Sequence, residues 1–364
     1  MIKRISLILL LSCSAGKLLF KKNEKADLAK SDHVEKDLND KFKVSQKITT
    51  STTYIKIQDD VAPVIIKKSK AVKKSKLSKV PKVTNKTPTT TIPEVTTTST
   101  RPISVESVYK NKEPQSYALW NSFKKNYLYP SEEMNVKITF MGIGAASVLI
   151  KMRKNLVDIG SKKAYAFYAR AKTASFYKWI YELDDVIESF VDVNEFVPLK
   201  YNLIQRESKK DIDHIELYDR EKGMTHFRYK RVTKDGKVTH RKKDKKMPHF
   251  SQDFLSVFFF FRGLPLELGK EYVIPITTKA KTWNMLIKPI AKVKMNVGKL
   301  KNIQAVKLQV FNKYSGDLSK AGAMEFWISD DKYRRFLQVK ADTKIGKVYA
   351  TLDKYTIDGI EITQ

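Results

Sequence analysis

Cysteine occurs once in the 364 residues, at Cys13. The chain after it therefore has no disulfide, no thiolate zinc site and no cysteine nucleophile, and its fold must rest on burial alone. Long hydrophobic runs are missing as well: the N-terminal stretch from Ile5 to Leu11 is too short to span a bilayer. Acidic residues are in deficit, 39 against 70 Lys and Arg, for a formal net charge of +31. Such a field favours polyanionic partners, although a Lys-rich composition also arises as a plain solubility feature. The standard signatures of catalysis are missing too. No Gly-x-Ser-x-Gly elbow, phosphate loop or His-Glu-x-x-His helix occurs, and the sequence implies no cofactor and no metal centre.

What is present begins at the N-terminus. Lys3 and Arg4 precede the short apolar run, and small Ser12 precedes Cys13. This order reads as a bacterial lipoprotein signal over 1–13, with Cys13 as the lipidated residue. Ser14, where Asp would retain the protein at the inner membrane, resembles the default signal for outer-membrane sorting. The expected address is the cell envelope, on an outer-membrane lipoprotein facing the periplasm or the cell surface. There, nucleic acid is an unlikely partner for an exported chain, and lipid, glycolipid, envelope polyanions or a protein are the candidates.

From Lys17 to about residue 115 charges are scattered, aromatics are few and no apolar period persists. Ordering such a segment would cost more entropy than its apolar side chains return, so 17–115 is expected to be a disordered tether. Its later part alternates Lys, Thr and Pro, a composition that favours an extended chain. A basic patch around Lys67 to Lys76 either binds anionic polymers or is simply solvated. Over 116–127 the residues Leu119, Trp120, Phe123 and Tyr127 fall at helical spacing, which predicts a short amphipathic helix docking on the domain.

From 128 to 364 the apolar period is two. About fourteen short strands joined by tight turns such as Lys234-Asp-Gly236 indicate a mainly β domain: one large antiparallel sheet, strongly curved into a half-barrel or barrel. Val306, Leu308 and Val310 should face a core, with Lys307 and Gln309 outward. Residues 251–262 break the pattern. Ser251, Asp253 and the run Phe254 to Phe261 before Gly263 predict a buried helix, packed into the concave face, with an apolar hollow beside it.

The run from Gln252 to Tyr272 carries Asp-x-Leu-Ser, an aromatic helix and Arg-Gly-Leu-Pro-Leu. It resembles a segment of the bacterial family "domain of unknown function 3108". Asp185 to Asp192, Pro198 to Tyr201, Gln205 to Glu207, Phe326 to Asp331 and Ile345 to Ala350 match that family in the same order, so the resemblance covers roughly Leu128 to Thr356. It implies a β-rich fold on an exported or lipidated envelope protein, and it implies no activity or catalytic set.

Few residues suggest chemistry. His214 and Glu216 alternate on one strand beside Asp211 and Asp213, a weak metal-binding edge set against a solvated surface. Asp184-Asp185 and Asp330-Asp331 are expected to end strands or shape turns. The stretch from Arg228 to Lys246 reads as a hairpin whose outer face is basic. Its Arg228, Lys230, Arg231, Arg241, Lys242 and Lys243 are candidate contacts for envelope polyanions, or plainly solvated. Trp327 falls on the polar face of its strand, either as an interaction point or under a covering loop. The resulting expectation is a non-enzymatic envelope lipoprotein whose tethered β domain binds a lipid, a glycolipid or a polyanion. A periplasmic structural or assembly partner and a hydrolase acting on cell wall or lipid are the rivals.

Overall fold

The computed structural model describes residues 32–45, 110, 112–314, 317–318, 324–343 and 346–363. Cys13, the basic patch at Lys67 to Lys76 and the Thr/Pro stretch lie outside the described residues.

The β domain is one antiparallel sheet whose strands mostly follow chain order. They are β2 (Glu132–Phe140), β3 (Ile143–Met152), the short β4 (Val157–Ile159), β5 (Lys162–Thr173), β6 (Leu183–Asp192), β7 (Pro198–Glu207), β8 (Lys210–Asp219), β9 (Met224–Thr233) and β10 (Val238–Lys246). The second half runs through β11 (Tyr272–Thr278), β12 (Lys281–Val297), β13 (Leu300–Tyr314), β15 (Met324–Ser329), β16 (Phe336–Thr343) and β17 (Gly346–Ile357), with the short β14 (Asp317–Leu318) and β18 (Ile360–Glu361). The ladder β17–β2 joins the halves, from Val348 opposite Phe140 to Ile357 opposite Glu132. β10 and β11 are the two ends of this order. Each pairs on one side only, with β9 and β12. Gln252, in the segment after β10, bridges to Ile276 of β11. The sheet is therefore strongly curved but not closed.

Period-two patterning assigns the faces as expected. Met134, Val136 and Ile138 of β2, Val306, Leu308 and Val310 of β13, Leu337 and Val339 of β16, and Val348 and Leu352 of β17 are all buried. Into this concavity packs α3 (Ser256–Arg262), every residue of which is buried. Phe259 stacks on Phe167 of β5 with centroids 3.9 Å apart, while Phe258 and Phe261 reach Phe336 and Phe326 on the other wall. Fully burying each ring contributes about 2–3 kcal/mol, so one short helix joins the two walls.

This helix is shorter than the sequence implies, and its cap is Asp253, not Ser251. Asp253 Oδ1 accepts from the N–H groups of Leu255 and Ser256, and Ser256 Oγ accepts from Asp253 N. The reciprocal pairing satisfies first-turn donors that would otherwise be orphaned. Ser251 is taken up elsewhere, its carbonyl and hydroxyl receiving the buried guanidinium of Arg220.

The tether expectation fails over 32–45. Asp32–Lys41 is a helix, α1, and Val44–Ser45 a short strand, β1, which pairs with β4. Leu38 and Phe42 bury themselves in a small second core with Ile159, Phe190, Leu199 and Leu217, residues on the convex side of the sheet. Few as they are, these apolar side chains meet a prepared surface, and Lys41 adds ion pairs to Asp219 and Glu221. Gly160, at φ +58, is needed there because a Cβ would lie 2.4 Å from the carbonyl oxygen of Lys41. A second helix, α2 (Pro114–Ser122), starts just inside the expected tether and is followed by a 3₁₀ turn at Lys125–Tyr127. Tyr117 packs with Val197 and Phe250, and Phe123 lies on Phe196 and Phe260.

Candidate functional site

Beside α3 the interior is not filled. One hollow of about 110 Å³ is lined by Val136, Ile138, Val148, Ala171, Phe254, Phe258 and their neighbours, with Asp185 as its sole ionisable side chain. A second, of about 280 Å³, adjoins it at Ile138 and is lined by Phe140, Met141, Ile143, Tyr177, Ile180, Tyr181 and Leu183. The outer one exceeds the ~150 Å³ at which an apolar cavity already holds benzene. Small Ala145, Ala146, Ala169, Ala171 and Ala350 stand where larger residues would close the space. The apolar hollow expected beside the Phe254 to Phe261 run is thus present.

Asp185 was expected to end a strand. It instead faces inward, 2% exposed, while Asp184 points outward to a two-pronged pairing with Arg170. Alternation through Leu183, Asp185, Ile187 and Ser189 contains this assignment, which the adjacent acidic pair obscures. Gln205 Nε2 donates to both Asp185 Oδ2 and Glu207 Oε1, each at 3.0 Å, and Tyr181 donates to Glu207. Burial pushes the Asp185 carboxyl up to about 7, the Gln205 donor opposes this, and the nearby Glu207 adds to it. The cavity wall thus carries a carboxyl poised between its neutral and charged forms, held by a polar chain that ends in a tyrosine lining the mouth.

His214 and Glu216 are not a solvated edge. Both are buried, with His214 Nε2 3.3 Å from Glu216 Oε2. Glu216 also accepts from Thr225 Oγ1 and from the N–H groups of Lys279 and Ala280, so it fixes the turn between β11 and β12. Burial lowers the His214 pKa, so the ring is held neutral. Among the described residues no group of three or more His, Cys, Asp or Glu could hold a metal ion.

The basic hairpin does not present one face. Cross-strand register puts Arg231, Arg241 and Lys243 on the side of His214, Tyr229 and Phe227, turned toward the interior. Arg228, Lys230 and Lys242 lie on the other side, where Arg228 and His226 share Asp244. Position in the sheet supplies a reason for the lysines. β10 is an edge strand, and charges along an edge discourage another chain from pairing with it. Trp327 lies on the outer face, half-buried, with Lys307 Nζ 5.2 Å from the ring centroid and Lys307 and Lys340 both paired to Glu325. Neither the hairpin nor Trp327 borders the cavity.

The motif at Arg262 has a structural account. Its guanidinium makes two hydrogen bonds to Glu132 at 2.9 and 3.0 Å and reaches the carbonyls of Tyr333 and Arg334. Asp331, from the other matching motif, accepts from Tyr333 N, Arg334 N and Ser329 Oγ and pairs with the buried Arg335. These motif residues therefore hold α3 against the strand ends.

A curved antiparallel sheet wrapped on a phenylalanine helix defines a class of barrel-like domains. The chain belongs to the family described as "Protein of unknown function (DUF3108)", whose family model matches residues 135–353. Among solved structures it is similar to a beta-barrel-like protein of the domain of unknown function DUF1849 from Brucella abortus, at 11% identity and a TM-score of 0.41, over 64% of this chain and 99% of that one. No curated protein matches the chain. No helix among the described residues is long and apolar enough to cross a membrane.

Proposed function

We propose that this chain is a non-enzymatic envelope lipoprotein, anchored through Cys13, whose β domain holds the apolar chain of a lipid or glycolipid. The observation that carries the reading is the pair of adjoining hollows, almost wholly apolar and opening between Met141, Ile143 and Tyr177. Water gains little in such a space, whereas a hydrocarbon chain removes its own surface from solvent there. Asp185 gives the ligand one polar point of reference. Near neutral pH its carboxyl can donate to an ester or amide oxygen or accept from a hydroxyl. An outer-membrane address follows from Ser14 and is part of the same proposal.

Mass spectrometry of the mature protein purified from envelopes tests both halves. The expected result is an acylated Cys13 N-terminus together with a copurifying lipid. Replacing Ala171 by Phe fills the inner hollow and should deplete the bound lipid while leaving the N-terminal acylation intact. An unprocessed Met1 start overturns the anchor. Absence of any bound lipid overturns the cavity reading and favours a structural partner role.

A further inference from the structure

The turns at one end of the barrel are linked in sequence around its rim. Met141 N bonds to Lys347 O, Ala174 N to Ala145 O, Ser208 N to Glu182 O and Lys234 N to Lys209 O. The cavity opens on this same end, since Met141, Ile143, Tyr177 and Ile180 line it. The apolar wall does not stop at the mouth. Met141 is 70% exposed, Ile143 54%, Phe176 70% and Trp179 78%, a cluster of large apolar side chains in water on two neighbouring turns. The flanking turns carry exposed Lys178, Lys209, Lys234, Lys237 and Lys347. Against them stand Glu182, already paired with Lys178, Asp235 in the β9–β10 turn and exposed Asp342, across from Lys347.

We propose that this rim is a membrane-docking surface, which inserts Phe176 and Trp179 among the headgroups of a bilayer rich in anionic phospholipid. Charge decides the partner. Aromatic side chains at a tip suit the interfacial layer, where an apolar ring can be buried while the Trp N–H stays wet. Lysines set around them can extend toward phosphates while their stems cover hydrocarbon, and an anionic surface attracts each of them. The proposal rests on the cavity reading in one respect: docking would bring the mouth against the lipid source, so a chain could enter without crossing water.

The test uses the full mature chain on vesicles of phosphatidylcholine alone or mixed with phosphatidylglycerol, with tryptophan emission quenched by brominated acyl chains. Quenching should rise at least about twofold on the anionic vesicles, disappear in Trp179→Phe and weaken in Phe176→Ser. Hydrogen exchange should slow at 141–143 and 174–182 on the same vesicles, a local readout that the N-terminal anchor does not supply. Equal quenching on both vesicle types, or quenching that survives Trp179→Phe, overturns the proposal. So does a soluble dimer that dissociates in Phe176→Ser/Trp179→Ser, which would make the rim an interface between two copies. Bound lipid measured on the same preparations separates the readings: a protein that keeps its lipid but is not quenched fails the rim proposal alone.

Discussion

Arg262, in the last turn of α3, and Glu132, the first residue of β2, form a two-pronged ion pair with neither side chain reaching solvent. Tyr355 Oη donates to the same carboxylate at 3.0 Å. Truncating one partner strands the other charge, which costs about 3–5 kcal/mol. Glu132→Ala should therefore lower stability by that order in urea unfolding, and Arg262→Ala likewise. The double replacement by apolar residues of similar volume should recover much of the loss, because neither charge is then left unpaired.

Asp185 makes stability fall as pH rises. Its pKa is raised in the fold to about 7 from an ordinary 3.8, so the native state binds the proton more tightly than the unfolded chain. Stability from this group is full below about pH 4 and is lost as pH climbs through 7, by at most about 1.4 kcal/mol per pH unit. Asp253, buried and raised to about 6, acts with the same sign over the lower part of the window. Asp185→Asn should thus flatten the pH dependence between about 6 and 7 and roughly halve the slope between about 4 and 6, where Asp253 still acts. Thermal unfolding across that range measures it.

Docking of α1 depends on Leu38 and Phe42. Phe42→Ala should release residues 32–45 with little effect on the main core, since its neighbours Leu199 and Leu217 belong to the separate outer cluster. Gly160→Ala should act in the same way without removing any apolar contact, because its Cβ would collide with the Lys41 carbonyl. Hydrogen exchange should quicken in α1 and β4 in both variants and stay slow in α3. Equal loss of protection throughout would show that the outer cluster is part of the global fold.

Phe259 is fully buried and stacked on Phe167. Phe259→Ala should cost about 3–5 kcal/mol. Urea unfolding of the variant beside the wild-type chain measures the loss.

The sheet, its faces and the buried helix were legible because each follows from a local period: Val306, Leu308 and Val310 announce their side without knowledge of their neighbours. The site was less legible. Asp185 was hidden by Asp184 because two adjacent acids look like a turn, whereas in a strand adjacent residues face opposite ways. The basic hairpin was read as one surface for the converse reason, as its charge is continuous in sequence and divided in space. Residues 32–45 show a third limit. Two apolar side chains in a polar segment carry no visible signal, because what orders them is a surface made by strands more than a hundred residues away. Phe176 and Trp179 are remote in sequence from Met141 and Ile143, and only the way the turns gather at one rim makes them neighbours.

The gap between β10 and β11 has a consequence for size. In a closed barrel the bore is set by strand number and stagger, so it cannot change by one side chain's width without altering every ladder. Here residues 247–271 connect the two edges in the chain, with Gln252 bridged to Ile276 of β11 and the phenylalanines of α3 packed on Phe167, Phe336 and Phe326 inside the sheet. Closure places no such limit on this open sheet, so its curvature can change through the packing of α3 with all the strand registers kept.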